Sequence, residues 1–238
     1  MIFHTILFSL CDPRSNQYIQ CLQILYKTLQ KTKTLTSDDS FVVTTDEPTN
    51  RILKGLSIYP NLTIHLVPKP ANCFEGMRLK YMLPQFMDLT GQTILYLDTD
   101  FLSIKPFKVS IPPDTLVVYP EGPPTSDNYC GEPQDPPLTL PFGCSAGFFA
   151  YHYGPSIKAF FDTLLAQLIE SSKVYYSLDQ PYFNRLIPST HYQGFNHNMI
   201  SFNGNNNMAT AHFINCAGDP GDGPLHASKM LQFYLALT

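Results

Sequence analysis

The strongest constraint on how this chain folds lies in its N-terminal part, where short apolar runs alternate with helix-like segments. Ile2 to Leu10 is apolar except for His4, Thr5 and Ser9, and a continuous run of that kind suits a central strand covered on both faces. Cys11, Asp12 and Pro13 break it, and Ser15 can cap the helix that follows. Tyr18, Leu22, Leu25 and Leu29 recur at three- and four-residue spacing and give that helix one apolar face. Phe41 to Thr45 is the next strand, ended by Asp46, Glu47 and Pro48. A short helical stretch with Ile52, Leu53 and Leu56 leads to a third strand, Leu62 to Val67. Strand and helix in strict alternation predict an α/β fold with a mostly parallel central sheet flanked by helices. Binding sites in such sheets lie at the carboxyl ends of the strands, where Asp12 and Asp46 fall.

Glu75 to Leu89 reads as one helix, with Met77, Tyr81, Met82 and Phe86 in register and the cations Arg78 and Lys80 aboard. Thr93 to Leu97 is a fourth strand. From Ile111 to Pro141 the many prolines exclude a long helix. Only Thr115 to Tyr119 there reads as a strand; Gly122 to Pro141 reads as a long irregular segment of the kind that is functional, here as an acceptor-side loop, or disordered. Phe148 to Tyr151 is a strand, and Pro155 begins a helix whose core face is Ile157, Phe160, Phe161, Leu164, Leu165, Leu168 and Ile169. Asn203 to Asn207 is a turn, and His226 to Leu237 closes as a helix. No repeat or internal boundary interrupts the pattern, so residues 1–238 read as a single domain.

Composition narrows the partners. A net charge of −4 with no basic run gives no electrostatic case for nucleic acid. The six cysteines show no CxxC pair, which argues against a zinc knuckle and fits free thiols in a reducing compartment. The apolar start lacks a basic leader and a cleavage site, and is shorter than the ~20 residues that span a bilayer. These features predict a cytoplasmic protein without a transmembrane segment, in which the sequon at Asn61 arises by chance.

The chemistry concentrates at Asp98-Thr99-Asp100, directly after the fourth strand. The backbone turns at a strand's end, so two carboxylates one residue apart can converge. Packed together they repel unless a cation neutralises them, and a divalent ion with oxygen ligands does so. The bland alternative is a pair of acids capping the next turn.

Here a family resemblance enters. ILYLDTDFL (94–102), preceded by MRLKYMLPQF (77–86), resembles family-8 glycosyltransferases of the glycogenin and lipopolysaccharide galactosyltransferase type, which have a glycosyltransferase A fold. CSAGFFAYH (144–152) resembles the family's Asn-Ser-Gly strand, with Ala146 replacing one member. SLDQPYFN (177–184) is similar to its Asp-Gln motif, and AHFIN (211–215) to its His-Phe motif. The resemblance implies a single glycosyltransferase A domain, residues 1–105 binding nucleotide and residues 106–238 binding acceptor. It implies a metal-dependent transfer of sugar from a UDP-sugar to a glycan or protein acceptor, with retention of configuration. His212 joins Asp98 and Asp100 as metal ligand; an imidazole in the set suits manganese over calcium, and the ion implied is manganese or magnesium.

Further roles follow from the same resemblance. Arg78 or Lys80 approaches the donor phosphates, since one helix cannot aim both inward. Ser9, Asp12, Thr45 and Asp46 hold base and ribose, unless they serve ordinary turn and capping chemistry. Thr99 lies beside the donor. Ser145, Ala146 and Gly147 line the sugar pocket, and Gly147 allows close backbone approach. Asp179 and Gln180 bind the transferred sugar, and Asp179 supports the transition state without forming a covalent bond. Its alternative is a helix cap before Pro181. The chain departs from the family after His212, where no Lys occurs until Lys229, so the Gly-rich stretch from Gly218 to Gly223 offers backbone amides to the diphosphate instead. Two other classes fit parts of the pattern. One is a haloacid-dehalogenase-type phosphatase, where Leu102 stands in place of the usual Thr or Val. The other is a carbohydrate-binding homologue that has lost catalysis.

Overall fold

The structure is a computed structural model that describes residues 1–8, 15–54, 62–122, 142–171, 178–188, 192–194, 200–202, 208–213 and 225–237. In chain order its elements are β1 (Ile2–Leu7), α1 (Ser15–Lys31), β2 (Ser40–Asp46), α2 (Glu47–Lys54), β3 (Leu62–Val67), α3 (Cys73–Arg78), a 3-10 turn (Leu79–Tyr81), α4 (Leu83–Phe86), β4 (Thr93–Leu97), β5 (Phe101–Ser103), β6 (Leu116–Gly122), β7 (Gly143–His152), α5 (Pro155–Glu170), α6 (Gln180–Leu186), β8 (Tyr192–Gly194), β9 (Ile200–Phe202), β10 (Thr210–His212) and α7 (Leu225–Ala236). The main sheet has the order β3-β2-β1-β4-β7-β6-β8, and a small sheet has the order β5-β10-β9. The pairs β2–β3, β1–β4 and β6–β8 are parallel, and β6–β7 is antiparallel. Strands β1 and β7 are buried along almost their whole length, as expected of apolar runs covered on both faces.

The chain divides into two compact units. The first is Met1–His4, Ala71–Tyr96 and Val109–Asn196, and the second is Thr5–Pro70, Leu97–Lys108 and His197–Thr238. The core of the first is an aromatic cluster. Tyr81 stacks between Phe149 and Phe183 at 5.8 and 5.9 Å, and Phe149 stacks on Tyr96 at 4.9 Å. The second unit packs Cys21 and Ile24 of α1 against Leu102, Ala211, Phe213 and Met230.

The single helix expected over Glu75 to Leu89 is instead three short pieces. Pro84 explains the break. It has no N–H to give, and its ring would clash with the carbonyl of residue 80 in a continuous helix. It therefore sits in the first turn of a new helix, where its missing donor costs nothing. On α5 the expected apolar face is buried except for Ile169, which lies at the edge of the stripe and is exposed.

Helix α5 also shows how a non-local residue fixes an element. Its cap position is Gly154, which has no side chain to offer. The carboxylate of Asp114 accepts instead from the N–H groups of Ser156 at 3.0 Å and Ile157 at 3.1 Å. Asp114 holds this position with a left-handed φ of 53°. A Cβ on Gly154 would come within 2.6 Å of its carboxylate. Asp114→Ala is expected to lower stability by about 1–2 kcal/mol, read as a lower urea midpoint at unchanged slope.

Candidate active site

Strand β4 places its carboxylates by burial. Ile94 to Leu97 are fully packed, Asp98 is half-buried, and Thr99 and Asp100 are buried where the chain turns into β5. The Phe101 N–H donates to the Asp98 carbonyl at 3.3 Å and closes that turn. Strand β10 then pairs antiparallel with β5, with His212 opposite Phe101. The next link is the Phe213 N–H, which donates to the Asp100 carbonyl at 3.0 Å. This register carries a residue from far downstream to the end of β4. The His212 ring stacks on Phe101 at 4.0 Å and 17° between planes, which fixes its orientation. Its Nε2 lies 3.3 Å from Asp100 Oδ1.

Asp98, Asp100 and His212 each offer a ligand atom, all within 4.8 Å of one another. Asp100 Oδ1 is buried and makes no hydrogen bond among the described residues, its approach to His212 being at ion-pair distance only. A buried carboxylate oxygen left without a hydrogen bond, beside a second acid, is destabilised unless a cation meets it. The donor set of two carboxylates and one imidazole fits a divalent transition ion such as manganese. The structure thus brings together the three residues expected from the sequence as metal ligands, all within the second unit.

Thr45 and Asp46 end β2 in the same unit. Thr45 Oγ1 donates to the Leu7 carbonyl at 2.6 Å, and Asp46 Oδ1 accepts from the Thr49 N–H at 2.9 Å, capping α2. Both side chains therefore carry structural bonds. Ser9, Asp12, Gly218, the turn from Asn203 to Asn207 and most of the Pro-rich segment lie outside the described residues.

The first unit holds a separate polar cluster. Lys80 is buried, and its Nζ lies 3.2 Å from both carboxylate oxygens of Asp179. It also donates to the Ala146 carbonyl at 3.3 Å. The Tyr81 hydroxyl donates to Asp179 Oδ2 in a short hydrogen bond. Asp179 occupies the N-cap position of α6 but makes no side-chain capping hydrogen bond among the described residues. Gln180 Oε1 accepts from the Ala146 N–H at 2.9 Å, and Asn184 bonds the Cys144 N–H at 2.5 Å and its carbonyl at 3.0 Å. Helix α6 thus clamps the start of β7. Ser145 Oγ accepts from the Gly147 N–H at 3.3 Å. Of the two cations, Lys80 turns inward, while the Arg78 guanidinium lies 5.4 Å from the Phe74 ring. Burial pushes the Tyr151 phenol far above its ordinary value, so it stays neutral in this core.

Three residues outside the expected set organise these clusters: Phe101, Tyr81 and Asn184. Asn184 was detectable, because it follows Gln180 by four residues and so shares its helix face. The Tyr81 ring belongs to the aromatic core, as its place in the apolar register predicts, while its hydroxyl reaches Asp179.

No protein-family model matches the chain, and no curated protein matches it. Solved structures do. The apo structure of the bifunctional glycosyltransferase WbbM matches 98% of this chain at 10% identity and a TM-score of 0.65. The galactosyltransferase LgtC in complex with donor and acceptor sugar analogs matches the whole chain at 14% identity and a TM-score of 0.62. The glycosyltransferase GlyE of Streptococcus pneumoniae matches 98% at 13% identity and the same score. This chain spans 49% of the WbbM chain, 60% of GlyE and 96% of LgtC. At these identities the likeness establishes the fold, a glycosyltransferase A-type fold.

Proposed function

We propose that the protein is a metal-dependent glycosyltransferase that moves a sugar from a nucleotide-diphosphate sugar to a glycan or protein acceptor. The observation that carries this reading is the convergence of Asp98, Asp100 and His212 at a buried strand end, in a glycosyltransferase fold. The donor named by the family resemblance is a UDP-sugar, and the ion is manganese or magnesium. Held by these three side chains, a divalent ion supplies positive charge to the diphosphate and to the nucleoside diphosphate as it departs. His212 has no part in the haloacid-dehalogenase pattern, and its place beside both acids favours sugar transfer over phosphatase chemistry.

The protein's own groups have distinct tasks in this reading. Phe101 keeps the His212 imidazole aimed at the acids. Thr45 and Asp46 shape the carboxyl end of β2 for base and ribose, with Ser9 and Asp12. Asp179 and Gln180 bind the transferred sugar, alongside Ser145, Ala146 and Gly147. An ammonium and a phenol already engage both oxygens of Asp179, which suits a fixed anion that supports developing positive charge better than a nucleophile. Retention of configuration is carried by the family resemblance. The diphosphate is met by Arg78 and by the amides around Gly218. Residues 1–105 supply the nucleotide-binding groups and residues 106–238 the acceptor-facing ones. No described helix is long and apolar enough to cross a membrane, and the scattered cysteines favour work in the reducing cytoplasm.

A thermal-shift panel tests the reading. UDP or a UDP-sugar at a hundredfold over Kd, with manganese, is expected to add about 2.7 kcal/mol of apparent stability. That corresponds to a rise of several degrees in Tm for a chain of this size. A chelator should remove the gain. A protein that responds equally without metal, or that hydrolyses small phosphomonoesters, is not the enzyme described.

A further inference from the structure

The sequence has no basic run, yet the fold gathers one. In the second unit three segments are tied side by side. The Lys31 Nζ donates to the Leu237 carbonyl at 3.0 Å, joining the ends of α1 and α7. The Thr32 and Ser103 hydroxyls bond at 2.9 Å, and the Phe107 N–H donates to Thr34 Oγ1 at 3.3 Å, joining the loop after β5 to the same end of α1. Lys27, Lys31, Lys33, Lys105 and Lys108 are all exposed on these segments. No acid occurs in residues 15–37, 101–113 or 225–238, although the whole chain is net −4. The acids that flank these stretches in sequence include Asp38, which is exposed, Asp100, which is buried, and Asp114, which caps α5; Asp39 is engaged by Thr36, whose hydrogen bonds hold its carboxyl below the ordinary value against the effect of burial.

The helix tied to Lys31 also exposes apolar side chains. Met230 of α7 is buried against α1, but one turn apart on its flank Leu231 and Leu235 are 38% and 59% exposed. Phe233, Tyr234 and Leu237 are only partly covered. Exposed leucines on a helix whose end is tied to a lysine-bearing segment, in stretches that carry no acid of their own, match an interface of negative headgroups over hydrocarbon. An acidic protein or an RNA would satisfy the lysines and leave the leucines in water.

We propose that the end of the second unit formed by α1, the loop after β5 and α7 is a docking surface for an anionic lipid bilayer. It is distinct from the cluster at Asp98, Asp100 and His212, and it holds whether or not the protein transfers sugar.

Sedimentation with vesicles tests this directly. The protein is expected to pellet with phosphatidylcholine vesicles containing phosphatidylserine, far less with pure phosphatidylcholine, and progressively less as salt rises. The variant Lys27→Gln/Lys33→Gln/Lys108→Gln should weaken binding about a hundredfold, at about fivefold per lysine. Leu231→Ser/Leu235→Ser should weaken it further at constant charge. Both variants should keep the parent's cooperative urea unfolding, which is the check on folding. Failure to pellet with anionic vesicles at low salt overturns the proposal. So does undiminished binding by the leucine variant, or retention on single-stranded RNA in preference to vesicles.

Discussion

Asp100→Ala is expected to lower sugar transfer by roughly a thousandfold, the equivalent of about 4 kcal/mol of lost charge stabilisation. Manganese binding, followed by isothermal titration, should be lost with it. The metal-free protein should keep the parent's stability to within about 1 kcal/mol, because the substitution removes the crowding with a second carboxylate together with the approach of His212 at 3.3 Å. That combination separates a ligand from a structural residue. A structural acid would lose stability without metal and keep its manganese response. Asp98→Ala should behave alike, with a smaller effect on metal-free stability because Asp98 is only half-buried. Full transfer activity in either variant contradicts the metal assignment.

The second large effect concerns Lys80 and Asp179. Both side chains are only 3% exposed, so neither charge is screened by water. Lys80→Met leaves a buried carboxylate with the Tyr81 hydroxyl as its remaining described partner and is expected to cost about 3–5 kcal/mol. Asp179→Leu leaves a buried ammonium and should cost a similar amount. The double variant should recover most of the loss, because an apolar pair of similar volume avoids the desolvation of both charges. Urea unfolding of the four proteins gives the coupling as a double-mutant cycle. The double variant also isolates function. In the proposed reading it folds and binds manganese but does not transfer sugar. Single variants that cost less than about 1 kcal/mol would show that the pair is not buried as described.

These two clusters differ in how far the sequence reveals them. Asp98 and Asp100 are visible because burial leaves a mark on the chain. An apolar strand that ends in two acids has few neutral explanations, and β4 runs over the same residues that the pattern marks. His212 is visible only through resemblance, since its approach to Asp100 depends on the register of β10 against β5, a long-range property. The pairing of Lys80 with Asp179 is less visible still. Periodicity marks Lys80 as one of two cations on a helix, but Pro84 breaks that helix and the 3-10 turn carries Lys80 into the core. A proline's local effect is predictable in kind, whereas the direction in which the chain then turns depends on packing.

The remaining differences follow the same division. Strand β3 matches its expected span because its boundaries are set locally. Asp114 caps α5 from outside the helix, so no spacing rule finds it. The five lysines of the patch are scattered over residues 27 to 108, and only the hydrogen bonds between three segments bring those segments together. Charge patterning along a sequence detects runs, and it is blind to patches assembled by folding.

The central claim is that one divalent ion is held jointly by Asp98, Asp100 and His212. Anomalous diffraction at the manganese edge, from crystals grown with manganese and UDP, measures this directly. One strong peak is expected at about 2.0–2.3 Å from a carboxylate oxygen of each aspartate and from a ring nitrogen of His212. A peak elsewhere, or one that contacts the aspartates while the imidazole stays out of reach, would contradict it.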